Sequence, residues 1–131
     1  MSQFSSDIQV RFRDIDAMGH VNNAVYATYV EQARTEYFHR ILDVGLDAVP
    51  TVLARLELSY ERPVRLEQSV TVTIDVPEIG RSSLPMEYEI HADGDRAATA
   101  TSVQVFIDPE TGESSPIPER FRERIAEFEG L

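Results

Sequence analysis

The chain has 131 residues, 42% of them hydrophobic, with no cysteine and a net charge of −11 from 23 acidic and 12 basic residues. The length fits one domain over 1–131 that buries roughly two-thirds of its unfolded surface, so oligomerisation would add both burial and intersubunit clefts. The missing cysteine excludes a disulfide scaffold, a thiolate nucleophile and a cysteine zinc site, and the acidic balance opposes nucleic-acid binding, which needs a basic face.

The N-terminal segment MSQFSSDIQV has neither a basic patch nor a long apolar run, and no stretch nears the ~18 apolar residues of a membrane helix. A soluble, cytoplasmic protein away from the membrane is therefore expected. All 12 basic residues are arginine. Absence of lysine beside so many carboxylates reads as a halophilic adaptation, in which salt screens self-repulsion. Solubility through negative charge is the plainer alternative, but it leaves the missing lysines unexplained.

Residues 6–12 alternate, with Ser6, Ile8, Val10 and Phe12 on one face, which predicts a half-buried first strand. A polar, turn-rich segment runs from Asp14 to Asn23. Residues 24–42 read as one long helix: Val25, Tyr29, Ala33, Tyr37 and Ile41 recur every four residues, widened by Tyr26, Val30 and Phe38. Asn22 or Asn23 can cap its start and Gly45 suits its end.

Four further strands are predicted at 52–60, 70–76, 84–90 and about 97–107. The short turns around Glu78-Ile79-Gly80-Arg81 and Asp93-Gly94-Asp95 favour antiparallel hairpins. Pro118 can open a short helix with Phe121, Ile125 and Phe128 on one face. A long helix that is apolar around much of its circumference needs cover on most sides. An α+β fold is expected, in which a curved antiparallel sheet of about five strands wraps the helix.

The chemistry concentrates in Arg11-Phe12-Arg13-Asp14-Ile15-Asp16-Ala17-Met18-Gly19-His20-Val21-Asn22-Asn23, just before the helix. A helix start carries unpaired N–H groups and partial positive charge, a ready site for a carbonyl or oxyanion. Gly19 removes a Cβ where the backbone turns or a ligand approaches. Asp16 could attack an acyl carbon or activate a water, and His20 could share the proton transfer or orient Asp16. Each residue also has a bland reading. Asp14, Asp16, Asn22 and Asn23 are all good caps or turn formers, and His20 could be a satisfied buried histidine.

The run Asp14-Ile15-Asp16-Ala17-Met18-Gly19-His20-Val21-Asn22-Asn23-x-x-Tyr26 resembles the signature of the 4-hydroxybenzoyl-CoA thioesterase-like family of hotdog proteins. The similarity continues through Glu31-Gln32-Ala33-Arg34-Thr35-Glu36-Tyr37-Phe38, and more weakly at Tyr60-Glu61-Arg62-Pro63-Val64 and Ile79-Gly80-Arg81-Ser82-Ser83. It covers roughly residues 8–107. The resemblance implies a hotdog fold, assembly into homodimers or homotetramers with sites between subunits, and hydrolysis of acyl-CoA thioesters without metal or other cofactor. It makes Asp16 the catalytic carboxylate and Asn23 the source of the polarising N–H. Arg81 becomes the candidate for the CoA phosphates, with Ser82 beside it. The sequence departs from the family prototype at Ala17-Met18 and Gly19-His20-Val21, so the prototype's aromatic substrate does not carry over; His20 matches other branches, where a histidine assists.

Gly19, Tyr26, Glu31, Arg81 and Ser82 complete the expected substrate contacts. Glu31 either faces the acyl pocket or pairs with Arg34 one turn on. His39, near the helix end, suits the helix dipole. His91 falls on a polar strand face. The three scattered histidines lack the spacing of a zinc site. The alternatives to a thioesterase are a hotdog hydratase or dehydratase, or a non-catalytic acyl-CoA-binding protein.

Overall fold

The computed structural model describes residues 3–131, the Leu46 side chain apart; Met1 and Ser2 of the segment weighed as a signal lie outside it. The strands are β1 (Phe4–Ile8), β2 (Thr51–Tyr60), β3 (Val70–Asp75), β4 (Ser83–Ala92) and β5 (Asp95–Phe106). The helices are α1 (Val25–Leu42) and α2 (Glu119–Glu129). All five strands join one antiparallel sheet in the order β1-β3-β4-β5-β2. The architecture is the expected hotdog, a long helix against a curved sheet.

The first strand begins and ends earlier than the alternation predicts. Phe4, Ser6, Ile8 and Val10 are buried, whereas Phe12 is 83% exposed. The cause is local: Asp14 accepts the Arg11 N–H at 2.9 Å, closing a 3₁₀ turn over Phe12–Asp14 that swings Phe12 off the strand's inner face.

Along α1 the buried side chains are Tyr26, Tyr29, Val30, Ala33, Arg34, Tyr37, Phe38 and Leu42. Val25 and Ile41, expected in the stripe, are only half-buried. Arg34 belongs to the buried face despite its charge. Its Nη1 donates to the Tyr88 hydroxyl at 3.3 Å, and Tyr88 is 2.6 Å from Ser102 Oγ, so the guanidinium is met by polar groups from the sheet. Asp43, not Gly45, ends the helix. It adopts the left-handed conformation at φ 55° and donates its N–H to the His39 carbonyl, a role open to aspartate because its short polar side chain tolerates that region.

Helix α1 lies over β1 and β3, where Val70, Val72 and Ile74 are buried. At the opposite edge β2 is largely uncovered, with Val52 46% and Leu53 43% exposed, and its register slips between Leu53 and Arg55. Helix α2 closes the structure through Phe121 and Ile125. Glu129 in its last turn accepts the buried Tyr37 hydroxyl at 2.7 Å and the Val76 N–H at 3.2 Å.

Candidate active site

The loop between the 3₁₀ turn and α1 folds on itself. Ile15 bridges Val21, and His20 bridges Arg65. Asn22 donates its N–H to the Asp14 carbonyl at 2.8 Å. Asp14 is the structural member of the pair of aspartates: its Oδ2 accepts both the Arg11 N–H and the hydroxyl of buried Tyr29, the latter at 2.7 Å. Burial, then that carboxylate, pushes the Tyr29 phenol well above its ordinary range.

Asp16 is held differently. Its Oδ1 accepts the Met18 N–H at 2.8 Å and the His20 N–H at 3.2 Å, an Asx-type turn. The turn continues through Gly19, whose φ of +81° favours glycine, and whose absent Cβ would meet nothing within 4 Å. Gly19 is therefore required by the turn and not by a close approach within the chain. Oδ2 of Asp16 has no donor among the described residues.

Asp16 lines a cleft of about 390 Å³ with His20, Val21, Asn23, Tyr26, Tyr60, Glu61, Arg62 and Pro63. Its second carboxylate, Glu61, is clamped by Arg96 through two hydrogen bonds of 2.8 and 2.9 Å, which hold its carboxyl below the usual range. Asp16 has no cationic partner among the described residues, and its Oδ2 is a carboxylate oxygen of the cleft that they leave unengaged.

The floor of the cleft is the start of α1. Neither Asn22 nor Asn23 caps the helix as expected: the N-cap is Ala24, without a side-chain cap, and Asn22 instead forms an Asx turn ahead of it, its Oδ1 accepting the Ala24 N–H at 2.9 Å and its carbonyl the Val25 N–H at 2.9 Å. The Asn23 N–H has no acceptor among the described residues. The Tyr60 hydroxyl donates to the Asn23 carbonyl at 2.8 Å, and the Tyr60 ring stands edge-on to buried Tyr26 with centroids 5.0 Å apart. Burial raises the Tyr26 phenol, a Val64 backbone hydrogen bond pulling the other way.

Thus Asp16, His20, Asn23 and Tyr26 meet in one cleft, with Gly19 shaping the turn behind them. Glu31, Arg81 and Ser82 are not brought there. Glu31 is exposed, 3.8 Å from Arg34 Nη2, and borders a separate hollow with Thr35, Phe38 and Gln104. Arg81 and Ser82 precede β4, whose Ser83 pairs with Val105, whereas Tyr60 pairs with Ala98. Seven residues along β5 at about 3.3 Å each separate the two ends by about 23 Å. Within one chain, Glu31, Arg81 and Ser82 therefore lie outside the Asp16 cleft. The sequence motifs assign no site role to Tyr60, Glu61 or Pro63, although the structure brings them to the cleft. The one available signal was the weak Tyr60-Glu61-Arg62-Pro63-Val64 similarity.

A family profile described as the thioesterase-like superfamily matches residues 10–125. The chain belongs to this superfamily. Among solved structures it is similar to a Thermus thermophilus thioesterase crystallised with coenzyme A and zinc, at 43% identity and a TM-score of 0.89, covering 97% of this chain and 94% of that one. A predicted thioesterase from Bacillus stearothermophilus is 32% identical, with a TM-score of 0.88 and 95% of each chain covered. The long-chain acyl-CoA thioesterase FadM of Escherichia coli is 25% identical over 94% of this chain and 97% of its own length. With these relatives, the superfamily member described here is a thioester hydrolase of the hotdog type, with acyl-CoA thioesterase activity.

Proposed function

We propose that the protein hydrolyses acyl-CoA thioesters in the cleft at the start of α1, with Asp16 as nucleophile or general base. The observation that supports this is the pairing, in one cleft, of an unengaged Asp16 oxygen with the unpaired Asn23 N–H. The thioester carbonyl accepts that N–H at the positive end of the helix dipole, which stabilises the oxyanion formed on attack. As general base, Asp16 takes a proton from water while the water oxygen bonds to the carbonyl carbon. As nucleophile, its own oxygen forms that bond and water later cleaves the anhydride. In both routes the C–S bond breaks and CoA leaves as a thiolate, needing little protonation. His20 borders the same space and orients the water or Asp16.

The working assembly is a homodimer in which a second copy covers β2. Its support is the exposure of Val52 and Leu53 along a ten-residue edge strand, an arrangement that otherwise invites uncontrolled pairing. A second copy would also provide a route for an Arg81 turn to reach the cleft.

The test is Asp16→Asn. The amide oxygen still accepts from Met18 and His20, so the turn and the thermal melt should be retained. Turnover of acyl-CoA should fall by about 10²–10⁴-fold. Undiminished thiol release by a folded variant would remove Asp16 from the reaction.

A further inference from the structure

A second concavity takes no part in the reaction as described so far. A hollow of about 270 Å³ opens between α1 and the sheet, with Glu31, Arg34, Phe38, Val49, Thr51 and Gln104 among its lining residues. Gln104 is only 4% exposed. Its Nε2 donates to the Thr51 hydroxyl at 3.1 Å, but its buried Oε1 has no hydrogen-bond partner among the described residues. A buried amide oxygen without a donor is costly, so a ligand that brings a donor is favoured there. Arg34, also buried, donates from Nη1 to the Tyr88 hydroxyl at 3.3 Å, while its Nη2 lies 3.8 Å from Glu31 at the exposed lip.

The hollow and the Asp16 cleft share no lining residue, yet one strip runs between them. In the register of β2 on β5, Tyr60 pairs with Ala98, Leu58 with Ala100, Leu56 with Ser102 and Leu53 with Gln104. Directly paired residues project from the same face of a sheet. Ala100, Ser102 and Gln104 are buried, so Leu58 and Leu56 stand on the inner face between Tyr60 at the cleft and Gln104 in the hollow. Both leucines are half-buried against the core. Six steps along β5 at about 3.3 Å each make this strip about 20 Å long. Eight steps from Asn23 to Glu31 at the helical rise of about 1.5 Å cover about 12 Å. A medium or long acyl chain spans that range.

We propose that the acyl group hydrolysed here carries a hydroxyl at its far end, and that the hollow receives it. The hydroxyl donates to Gln104 Oε1 and accepts from Arg34, with the methylene chain laid along Leu58 and Leu56. The inference rests on the hydrolase reading of the cleft and names its substrate class, an ω-hydroxyacyl thioester. Hydrogen-bond chemistry selects a hydroxyl over the other possible chain ends. A hydroxyl both donates and accepts, so it satisfies the Gln104 amide whichever end of that amide faces the hollow. A carboxylate only accepts: it would meet Arg34 but leave Oε1 without a donor and lie close to the Glu31 charge. A methyl end supplies no partner to either group and leaves both desolvated. The hydroxyl takes no part in bond breaking; it sets which chains bind with their thioester at Asp16.

The experiment measures kcat/KM for CoA thioesters from decanoyl to hexadecanoyl, each with a methyl, hydroxyl or carboxylate at the far end, on wild type and Gln104→Met. The expected result is a preference of about tenfold or more for the hydroxyl over the methyl end in wild type, present at the lengths that reach the hollow and absent from the shorter chains. Gln104→Met, which is apolar and of similar length, should abolish or reverse that preference. Equal rates for hydroxyl and methyl ends in wild type would mean that water alone fills the hollow, and would overturn the proposal. So would a preference for the carboxylate end, or a hydroxyl preference that survives in Gln104→Met. Calorimetric binding of the non-hydrolysable thioether analogues of the same chains reads the preference without turnover. If no thioester is cleaved, the hydrolase reading falls, and the analogues still decide the hollow: tighter binding of the hydroxyl end to wild type than to Gln104→Met supports its role, and equal binding overturns it.

Discussion

The Tyr60 hydroxyl donates to the Asn23 carbonyl oxygen over 2.8 Å, so the last residue of β2 holds the entry turn of α1. The same ring packs edge-on against Tyr26, whose side chain is buried beneath the cleft. Tyr60, 37 positions away in the chain, thus anchors the Asn23–Ala24 peptide, the unit that follows the one carrying the Asn23 N–H.

Removing that hydroxyl should separate positioning from folding. Tyr60→Phe keeps the ring contact and loses one exposed hydrogen bond, so stability should fall by only about 0.5–1 kcal/mol. Under the proposed mechanism, loosening the peptide next to the one that donates to the oxyanion should lower kcat by about tenfold with little change in KM. Steady-state kinetics beside thermal melts will show whether this holds; an unchanged kcat means the orientation of that peptide is immaterial.

The Asx turn that leads into α1 offers a second handle. Asn22→Ala deletes the acceptor for the Ala24 N–H and should destabilise the fold by about 1 kcal/mol, with Asn22→Asp retaining most of it. Urea titrations of the three proteins give the comparison. Fraying of the first turn should lower turnover in Asn22→Ala more than in Asn22→Asp.

Alkaline pH should unfold the protein through its buried phenols. Tyr29 and Tyr37 are both raised above the ordinary tyrosine value, by burial first and then by hydrogen bonds to Asp14 and Glu129. A group whose folded pKa is raised contributes stability that is complete below its unfolded pKa, about 10 for tyrosine, and is lost as pH rises above it. Melting temperature should therefore hold steady towards pH 9.5 and drop beyond pH 10. Tyr37→Phe should flatten that drop while lowering stability at neutral pH, because Glu129 loses a buried donor. Melts between pH 8 and 11, with absorbance at 295 nm to follow phenolate, provide the readout.

The β2 edge makes a claim about assembly. Leu53→Glu places a charge on an apolar, uncovered strand edge and should convert a dimer to monomer without loss of secondary structure, as sedimentation velocity and circular dichroism can establish. Wild type sedimenting as a monomer would remove the dimer reading.

Much of the fold was legible because it follows local rules. The four-residue recurrence of Tyr29, Ala33 and Tyr37 predicts a helix over 24–42, and α1 runs from Val25 to Leu42. Alternation places β3, β4 and β5 to within a few residues. Two features escaped those rules. Phe12 continues the alternation of β1, yet the Asp14 carboxylate bonds the Arg11 N–H and turns it outward. On β2 the pattern reads as a half-buried strand, but alternation says nothing about whether a neighbour exists to cover it.

The cleft divides along the same line. By itself the sequence determined that two aspartates, a histidine and two asparagines precede a buried helix, because a helix start and its polar loop are contiguous in the chain. Only the tertiary structure decided which aspartate meets the cleft: Asp14 bonds Tyr29, fifteen residues on, and is not among the lining residues, while Asp16 is. It likewise brought Tyr60, Glu61, Arg62 and Pro63 to the site and carried Arg81 about 23 Å along the sheet from it. Strand register is set by the sum of many side-chain contacts between distant segments, and no local window of sequence contains that sum.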